Sequence, residues 1–356
     1  MPNKLISIII PVYDVEPYLR RCLDSVIQQT LSDIEIICIN DCSPDNSLEI
    51  LREYEAKDSR VKIINFSENK NAANARNAGL EIATGEYLGF VDPDDCIDLN
   101  FYEKLYRAAK SEKADIVKGQ RQTIATDGKI FVGNLNNKIV EKNNKMVFTY
   151  EWQSAIFRAS LVYGNHIKFP VECPKAQDIV FLTRCVVKAK KLILADGIYY
   201  HHKREGSLND TKISPHSIES ALHAKKLIFD ELNRASGEEI DEGGYLYAYF
   251  VTLLTIITHT FFQNDSLECK RMCIQRFVEY YHKCKNNNAV DKKISETILG
   301  YVLPLIKKFN NEELLCELYK YSSADHLWRE NLRIRKEILL KNLRNNVKKE
   351  LSSSVQ

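Results

Sequence analysis

Four apolar runs, each followed by a stretch of helical periodicity, fill roughly the first 90 residues and restrict the fold more than any other feature. "LISIII" (5–10) is a continuous run of buried-strand type closed by Pro11, after which Leu19, Cys22, Leu23, Val26 and Ile27 recur on one helix face. "IEIICIN" (34–40) repeats the strand signal, and "DCSPDNSLEILREYEAK" predicts a helix with Ser43 as N-cap and Pro44 at its first position. "VKIINF" (61–66) is a third strand, "ANARNAGLEIAT" a helix with a small-residue face, and "EYLGFV" (86–91) a fourth strand. This alternation predicts an α/β fold on a mostly parallel, doubly covered sheet. Ligands of such sheets bind beyond the carboxyl ends of the strands. Four loops are thereby picked out: Pro11–Asp14, Asp41–Asp45, the segment after Phe66, and Asp92–Asp95.

The pattern continues less regularly with a helix at 99–111, a strand near Ala114–Lys118 and a hairpin about "TDGK" (126–129). "AQDIVFLTRCVVKAKK" reads as an amphipathic helix with Asp178 in its first turn, and "LILADGIYYHH" as a further strand. Beyond about residue 215 helices dominate, so two domains are expected, 1–215 and 216–356. Tyr245 to Asn264 carries no Asp, Glu, Lys or Arg, but its threonines, His259 and Gln263 fit a buried core helix better than a membrane span. "LWRENLRIRKEILLKNLRNNVKKEL" is basic and amphipathic, and suits either an anionic membrane surface or a solvated packing helix.

A formal net charge of +2 in 356 residues gives no global reason to bind nucleic acid. The opening "MPNKLISIIIPVY" lacks the features of a signal peptide, and a cytoplasmic protein is expected. Ten cysteines without a C-x-x-C pair point to reduced core thiols. Cys269, Cys273, His282 and Cys284 are the one set that could bind zinc, though thiolate sites usually use shorter spacings.

Asp92-Pro93-Asp94-Asp95 follows the fourth strand directly. Carboxylates at i and i+2 can share a crevice, where hard oxygen ligands suit Mg²⁺ or Mn²⁺ held jointly with phosphates. The plainer account is an acidic loop in which Asp95 or Asp98 caps the helix starting near Leu99. Asp41 and Tyr13, at neighbouring strand ends, offer a carboxylate acceptor and an aromatic face, a pair suited to a planar base such as uracil. They could equally cap a turn and pack. Arg76 would approach the same edge from a helix and could meet a diphosphate or one of the aspartates.

Taken in order, "SIIIPVYDVEPYLRRCLDSVIQQT", "IICINDCSPDNSLEIL", "ENKNAANARNAGLEIATGEYLGFVDPDD" and "AQDIVFL" resemble the family-2 glycosyltransferases of the A-type nucleotide-sugar fold, over roughly residues 5 to 205. The resemblance implies that Pro11, Val12 and Tyr13 frame a uracil and that Asp41 accepts from it. It implies Asp92 at the ribose or metal shell, and Asp94 as the carboxylate tying Mn²⁺ or Mg²⁺ to the diphosphate. Asp178 then matches the general base, while Lys203, Arg204 and Ser207 match a segment that closes over the diphosphate. His201 or His202 could complete the metal shell. The implied reaction is inverting transfer of a hexose or N-acetylhexosamine from a UDP-sugar to a glycan or lipid-linked glycan acceptor, in lipopolysaccharide or capsule synthesis. The helical second domain would contact acceptor, another subunit of a homo-oligomer or the inner membrane face.

Three positions depart from the family pattern: Cys42 and Asn71 stand where glycine is usual, and Gln177 stands where glutamate precedes the aspartate. A dinucleotide-dependent oxidoreductase would need G-x-G-x-x-G after the first strand, and "PVYDVE" has none. A non-catalytic glycan-binding or scaffolding protein retaining the fold is the alternative, with Asp41, Asp94 and Asp178 arguing against it.

Overall fold

Runs of Ile and Val without a helical period form the strands: β1 (Lys4–Val12), β2 (Ile34–Asn40), β3 (Val61–Asn65) and β4 (Gly85–Phe90). The computed structural model describes residues 4–132, 152–203, 214–236 and 272. Between the strands lie α1 (Glu16–Ile27), α2 (Ser47–Lys57) and α3 (Asn71–Ile82). These four strands pair in parallel in the order β3-β2-β1-β4. Both faces of β1 and β2 are covered, which is why their sequences are apolar without alternation. Ile8 and Ile10 face a core built with Leu19, Leu23 and Leu51, whereas Ile9 faces the opposite core with Leu80 and Phe181.

The chain continues through β5 (Cys96–Ile97), α4 (Phe101–Glu112), β6 (Ile116–Ile124) and β7 (Ile130–Val132). A 3-10 turn at Trp152–Ser154 leads into β8 (Ala155–Arg158), α5 (Ala159–Gly164), α6 (Gln177–Lys188), β9 (Leu192–His202) and α7 (Pro215–Ser236). The full order is β3-β2-β1-β4-β8-β6-β9-β5, with β7 on β6. β8 runs antiparallel to both β4 and β6, while β9 runs parallel to β6, so the sheet is mixed: most strands run one way, and β5, β7 and β8 run the other. The hairpin expected about residues 126–129 is the β6–β7 connection.

Two helix starts differ from the sequence reading. α2 begins at Ser47 because the Ser43 hydroxyl is spent on the Val12 carbonyl (3.3 Å) and Asp45 organises the turn instead. The Asp45 carboxylate accepts from the Ser47 and Glu16 amides at 3.1 and 2.8 Å, tying two strand-end loops together. Neither Asp95 nor Asp98 caps α4, which begins at Phe101 without a side-chain cap.

By packing, residues 1–211 with 223–237 form one unit and 212–222 with 238–356 another. Within the first, Ala224, Leu227 and Ile228 of α7 pack on Cys173 and Val180, and Glu231 pairs with Arg184 of α6 at 3.3 Å. The apolar stretch 245–264, the cysteine and histidine set at 269–284 and the basic C-terminal stretch lie outside the described residues. No helix among the described residues is long and apolar enough to cross a membrane. The described cysteines are free thiols: Cys22, Cys38, Cys173 and Cys185 buried, Cys96 half-buried and Cys42 exposed.

Candidate active site

The carboxyl ends of β1, β2 and β4 meet at one edge, and the loops leaving them are cross-tied. Pro11 and Val12 are buried at the end of β1, and Tyr13, the next residue, is 46% exposed, its ring open to a planar partner. The Asp41 amide donates to the Val12 carbonyl (2.8 Å), and the buried Asp41 carboxylate accepts from the Lys70 amide (2.6 Å). Burial pushes the Asp41 carboxyl up, and the backbone donors Lys70 and Asn71 offset only part of that rise.

The connections after β1, β2 and β3 each contain one residue in left-handed backbone: Asp14 (φ 53°), Cys42 (φ 57°) and Asn71 (φ 75°). Cys42 and Asn71 are the two positions where the resemblance implies glycine, and both hold a conformation that glycine favours. Asn71 offsets the strain locally, its Oδ1 accepting from the Ala73 and Asn74 amides at 3.0 and 3.2 Å.

α3 delivers Arg76 to this edge because Gly79 lets the helix lie on β1. A Cβ at Gly79 would stand 2.6 Å from Ile9 Cγ2. The buried Arg76 guanidinium reaches Asp92, with Nη2 2.8 Å from Oδ1, and the other carboxylate oxygen accepts from Gln153 Nε2 at 3.0 Å. Beneath Arg76 lies the Phe169 ring, 5.6 Å from the guanidinium carbon. Phe169 stacks on Phe181 with centroids 4.1 Å apart, and Phe90 meets both edge-on. Asn77 clamps Phe169 through both its backbone groups, at 3.0 and 2.9 Å. The segment entering α6 is thus held on the same platform as Arg76.

That segment positions Asp178. Ala176 takes a left-handed conformation (φ 61°) immediately before α6, and Asp178 sits in the first turn. Burial pushes the Asp178 carboxyl up, the nearby Arg76 charge opposes the rise, and Asp92 adds to it. Arg76, Asp92 and Asp178 therefore form one electrostatic group. Gln177 is buried beside it, and its Oε1 has no hydrogen-bond partner among the described residues.

The loop carrying the carboxylates is pinned from both sides. Arg21 of α1 donates to the Asp94 carbonyl (2.7 Å), and Cys22 Sγ to the Asp92 carbonyl (3.6 Å). Asp95 is fully buried and serves β9, accepting from Tyr199 Oη (2.9 Å) and the His202 amide (2.9 Å), with His201 Nδ1 at 3.2 Å. His202 Nε2 lies 3.3 Å from Cys96 Sγ. Asp94, His201 and His202 are not gathered into a three-ligand cluster; among the described residues no group of three His, Cys, Asp or Glu could enclose an ion. Lys203 is exposed at the end of β9, its amide bonded to the Ile124 carbonyl (2.9 Å), while Arg204 and Ser207 lie outside the described residues.

Gln153 and Tyr199 were missed by sequence reasoning. Nothing near Gln153 has a usable period, whereas Tyr199 could have been found, since strand alternation puts it on the same face as His201. A surface hollow of about 310 Å³ lined by Lys110, Lys113, Asp115 and Arg158 contains none of these residues.

Residues 7–168 match the family model for glycosyl transferase family 2. Over 208 residues the chain is 39% identical to a poly(ribitol-phosphate) beta-glucosyltransferase of Bacillus spizizenii, covering 56% of this chain and 33% of that protein. It is 29% identical over 271 residues to the uncharacterized glycosyltransferase EpsJ of Bacillus subtilis, covering 70% and 77%. The chain thus spans about a third of the length of one of these relatives and most of the other. Among solved structures, S. aureus TarS 1-349 in complex with UDP-GlcNAc superposes with a TM-score of 0.68 at 22% identity, covering 91% of this chain and 92% of that one. The strand order and the superposition agree on the A-type nucleotide-sugar fold, and within it residues 7–168 match glycosyl transferase family 2.

Proposed function

We propose that the chain is an inverting glycosyltransferase, moving a hexose or N-acetylhexosamine from a UDP-sugar to a hydroxyl of a surface glycan acceptor. One observation carries most weight: Asp92 is clamped between Arg76 and Gln153, with Asp178 in the same electrostatic group. Two relatives named for poly(ribitol-phosphate) glycosyl transfer favour a surface polymer as acceptor over a small molecule. Work at the cytoplasmic side of the membrane, contact with it through the basic C-terminal stretch, and self-association belong to the same proposal.

In this scheme Tyr13 stacks on the uracil and Asp41 accepts its N–H. Asp92 is oriented by Arg76 toward the ribose and diphosphate, with Lys203, Arg204 and Ser207 closing over the phosphates. Asp178 takes the proton of the acceptor hydroxyl as that oxygen attacks the anomeric carbon from the face opposite the leaving UDP. Its raised affinity for protons suits a base, provided the medium keeps it ionised.

The loop fits a divalent ion. Mg²⁺ and Mn²⁺ take hard oxygen donors, commonly one or two carboxylates plus substrate phosphates, so a closed protein cage is not required. Asp94, half-buried on a loop whose backbone Arg21 holds, would supply the carboxylate. His201 retains Nε2 for such a role, whereas Nε2 of His202 faces Cys96. A bound ion would offset the charge developing on the departing diphosphate.

The test is a panel of UDP-sugars with Mn²⁺, reading UDP release for wild type, Asp94→Ala and Asp178→Asn. Turnover of one donor by wild type and loss in both variants is expected. Absence of turnover and of metal-dependent UDP binding across the panel would refute the enzyme reading in favour of a non-catalytic glycan-binding protein.

A further inference from the structure

We propose that Tyr199 and Asp95 are positioning residues for the cation and diphosphate end of the site, a role that rests on the glycosyl-transfer function proposed above. The direction of each proton fixes how they act. The Asp92 amide can only donate, so the Tyr199 oxygen accepts it (3.0 Å), and the phenolic proton passes to Asp95 Oδ2 (2.9 Å). The His202 amide can likewise only donate, and Asp95 Oδ1 takes it at 2.9 Å. His201 Nδ1 stands 3.2 Å from that same oxygen, so the ring proton sits on Nδ1 and Nε2 is left facing away from the carboxylate. Asp95 is therefore an acceptor for three donors of β9, two of which have no alternative direction.

The far end of this relay is a backbone amide of the loop that carries Asp92 and Asp94. The same loop is tied to α1 through the carbonyls of Asp92 and Asp94, at Cys22 Sγ and Arg21 Nη2. Asp92 is thus held at its N–H by Tyr199 of β9 and at its C=O by Cys22 of α1. Both carboxylates leave from a backbone whose place is set before any ligand arrives, as a preorganised site requires. Tyr199 and Asp95 are both at or near zero exposure. A buried carboxylate is costly unless its lone pairs are met, and an apolar pair would fill the same space without that demand. The polar chain makes sense where its end point, the Asp92 amide, must be kept in register.

Two variants interrupt the relay in the full chain. Tyr199→Phe keeps the ring and removes the bridging hydroxyl. Asp95→Asn keeps the shape but turns an NH₂ toward a donor. Ser25→Ala serves as control, since it removes bonds to the Ile97 amide (3.2 Å) and the Cys22 carbonyl (2.7 Å) without touching Tyr199 or Asp95. UDP binding is measured by calorimetry with MnCl₂ and again in EDTA, alongside Tm. Tyr199→Phe is expected to weaken Mn²⁺-dependent UDP binding about tenfold, with less than about twofold change in EDTA. Ser25→Ala should lower Tm only. If Tyr199→Phe loses Tm but keeps wild-type Mn²⁺-dependent affinity, the relay is structural and the proposal is overturned; Tyr199→Phe decides the matter alone should Asp95→Asn not fold. A wild-type chain that binds no UDP with Mn²⁺ would instead overturn the underlying function, and this role with it.

Discussion

Arg76 on α3 and Asp92 beyond β4 are joined by a 2.8 Å ion pair that lies over the Phe169 ring, uniting three separate segments at one strand edge. Arg76 is nearly buried and Asp92 only partly exposed, so removing one partner leaves the other poorly solvated. Arg76→Ala is expected to cost about 3 kcal/mol of stability by urea titration and to lower kcat/KM at least a hundredfold. Arg76→Lys should recover part of the stability and little of the activity, because an ammonium cannot bond Asp92 and stack on Phe169 together. Wild-type kcat/KM in Arg76→Lys would remove the guanidinium from the site.

The Asp178 carboxyl is raised by burial, with Arg76 opposing and Asp92 assisting. A base works ionised, so activity is present above its raised pKa and lost as pH falls through it. The acid limb of kcat/KM should therefore lie above the ordinary carboxylate value of 3.8. Arg76→Gln removes the opposing charge and should move that limb to still higher pH. A limb at or below the ordinary value would mean that another group titrates.

The scaffold was legible, and with it the strand-end placement of the candidate site, because periodicity and strand-end position report backbone path directly. β1 to β4, α1 and α3 follow from Ile-rich runs and from spacings such as Leu19, Leu23 and Val26. Asp41 stands out for the same reason, as a carboxylate at a strand end, whereas Arg76 is read from its helix and Asp178 from the family resemblance. For Asp95 the sequence offers a helix cap or a ligand, and neither names its partners: Tyr199, His201 and His202 lie more than a hundred residues on, and no local pattern carries that pairing. Gln153 follows a segment without periodicity, and its bond to Asp92 depends on β8 running antiparallel beside β4. The start of α2 moved for a comparable reason: Ser43 bonds back to β1.

Cys42 holds a left-handed conformation (φ 57°) next to Asp41 without the local side-chain bonds that help Asn71. Cys42→Gly should raise stability by about 0.5–1 kcal/mol, the relief of Cβ crowding outweighing the added freedom of the unfolded chain. Cys42→Val should lower it by about 1 kcal/mol or more, since β-branched residues tolerate this region worst. Thermal melts of the three chains check the order Gly, Cys, Val, and a most stable Val variant would contradict it.

At the opposite end of the same strands, Glu35 is a buried carboxylate that ties β1, β3 and the start of β4 to β2. Its Oε1 accepts from Ser7 Oγ (2.6 Å) and from the amide and hydroxyl of Thr84 (2.7 and 2.9 Å), and Lys62 Nζ lies 2.7 Å from Oε2. Burial by itself would raise this carboxyl, but the donors Lys62, Ser7 and Thr84 together bring it below its ordinary value of 4.5. A carboxyl depressed in the folded state stabilises fully above its unfolded pKa, and that contribution is lost as pH falls through the lower, folded value. Wild-type stability should therefore decline below about pH 4.5, and Glu35→Gln should flatten that part of the curve while lowering stability at pH 7. Because Glu35 sits at the far edge of β2 from Asp41, Glu35→Gln should leave Mn²⁺-dependent UDP binding unchanged. Loss of UDP binding with stability intact would show that this end of the sheet governs the strand tips.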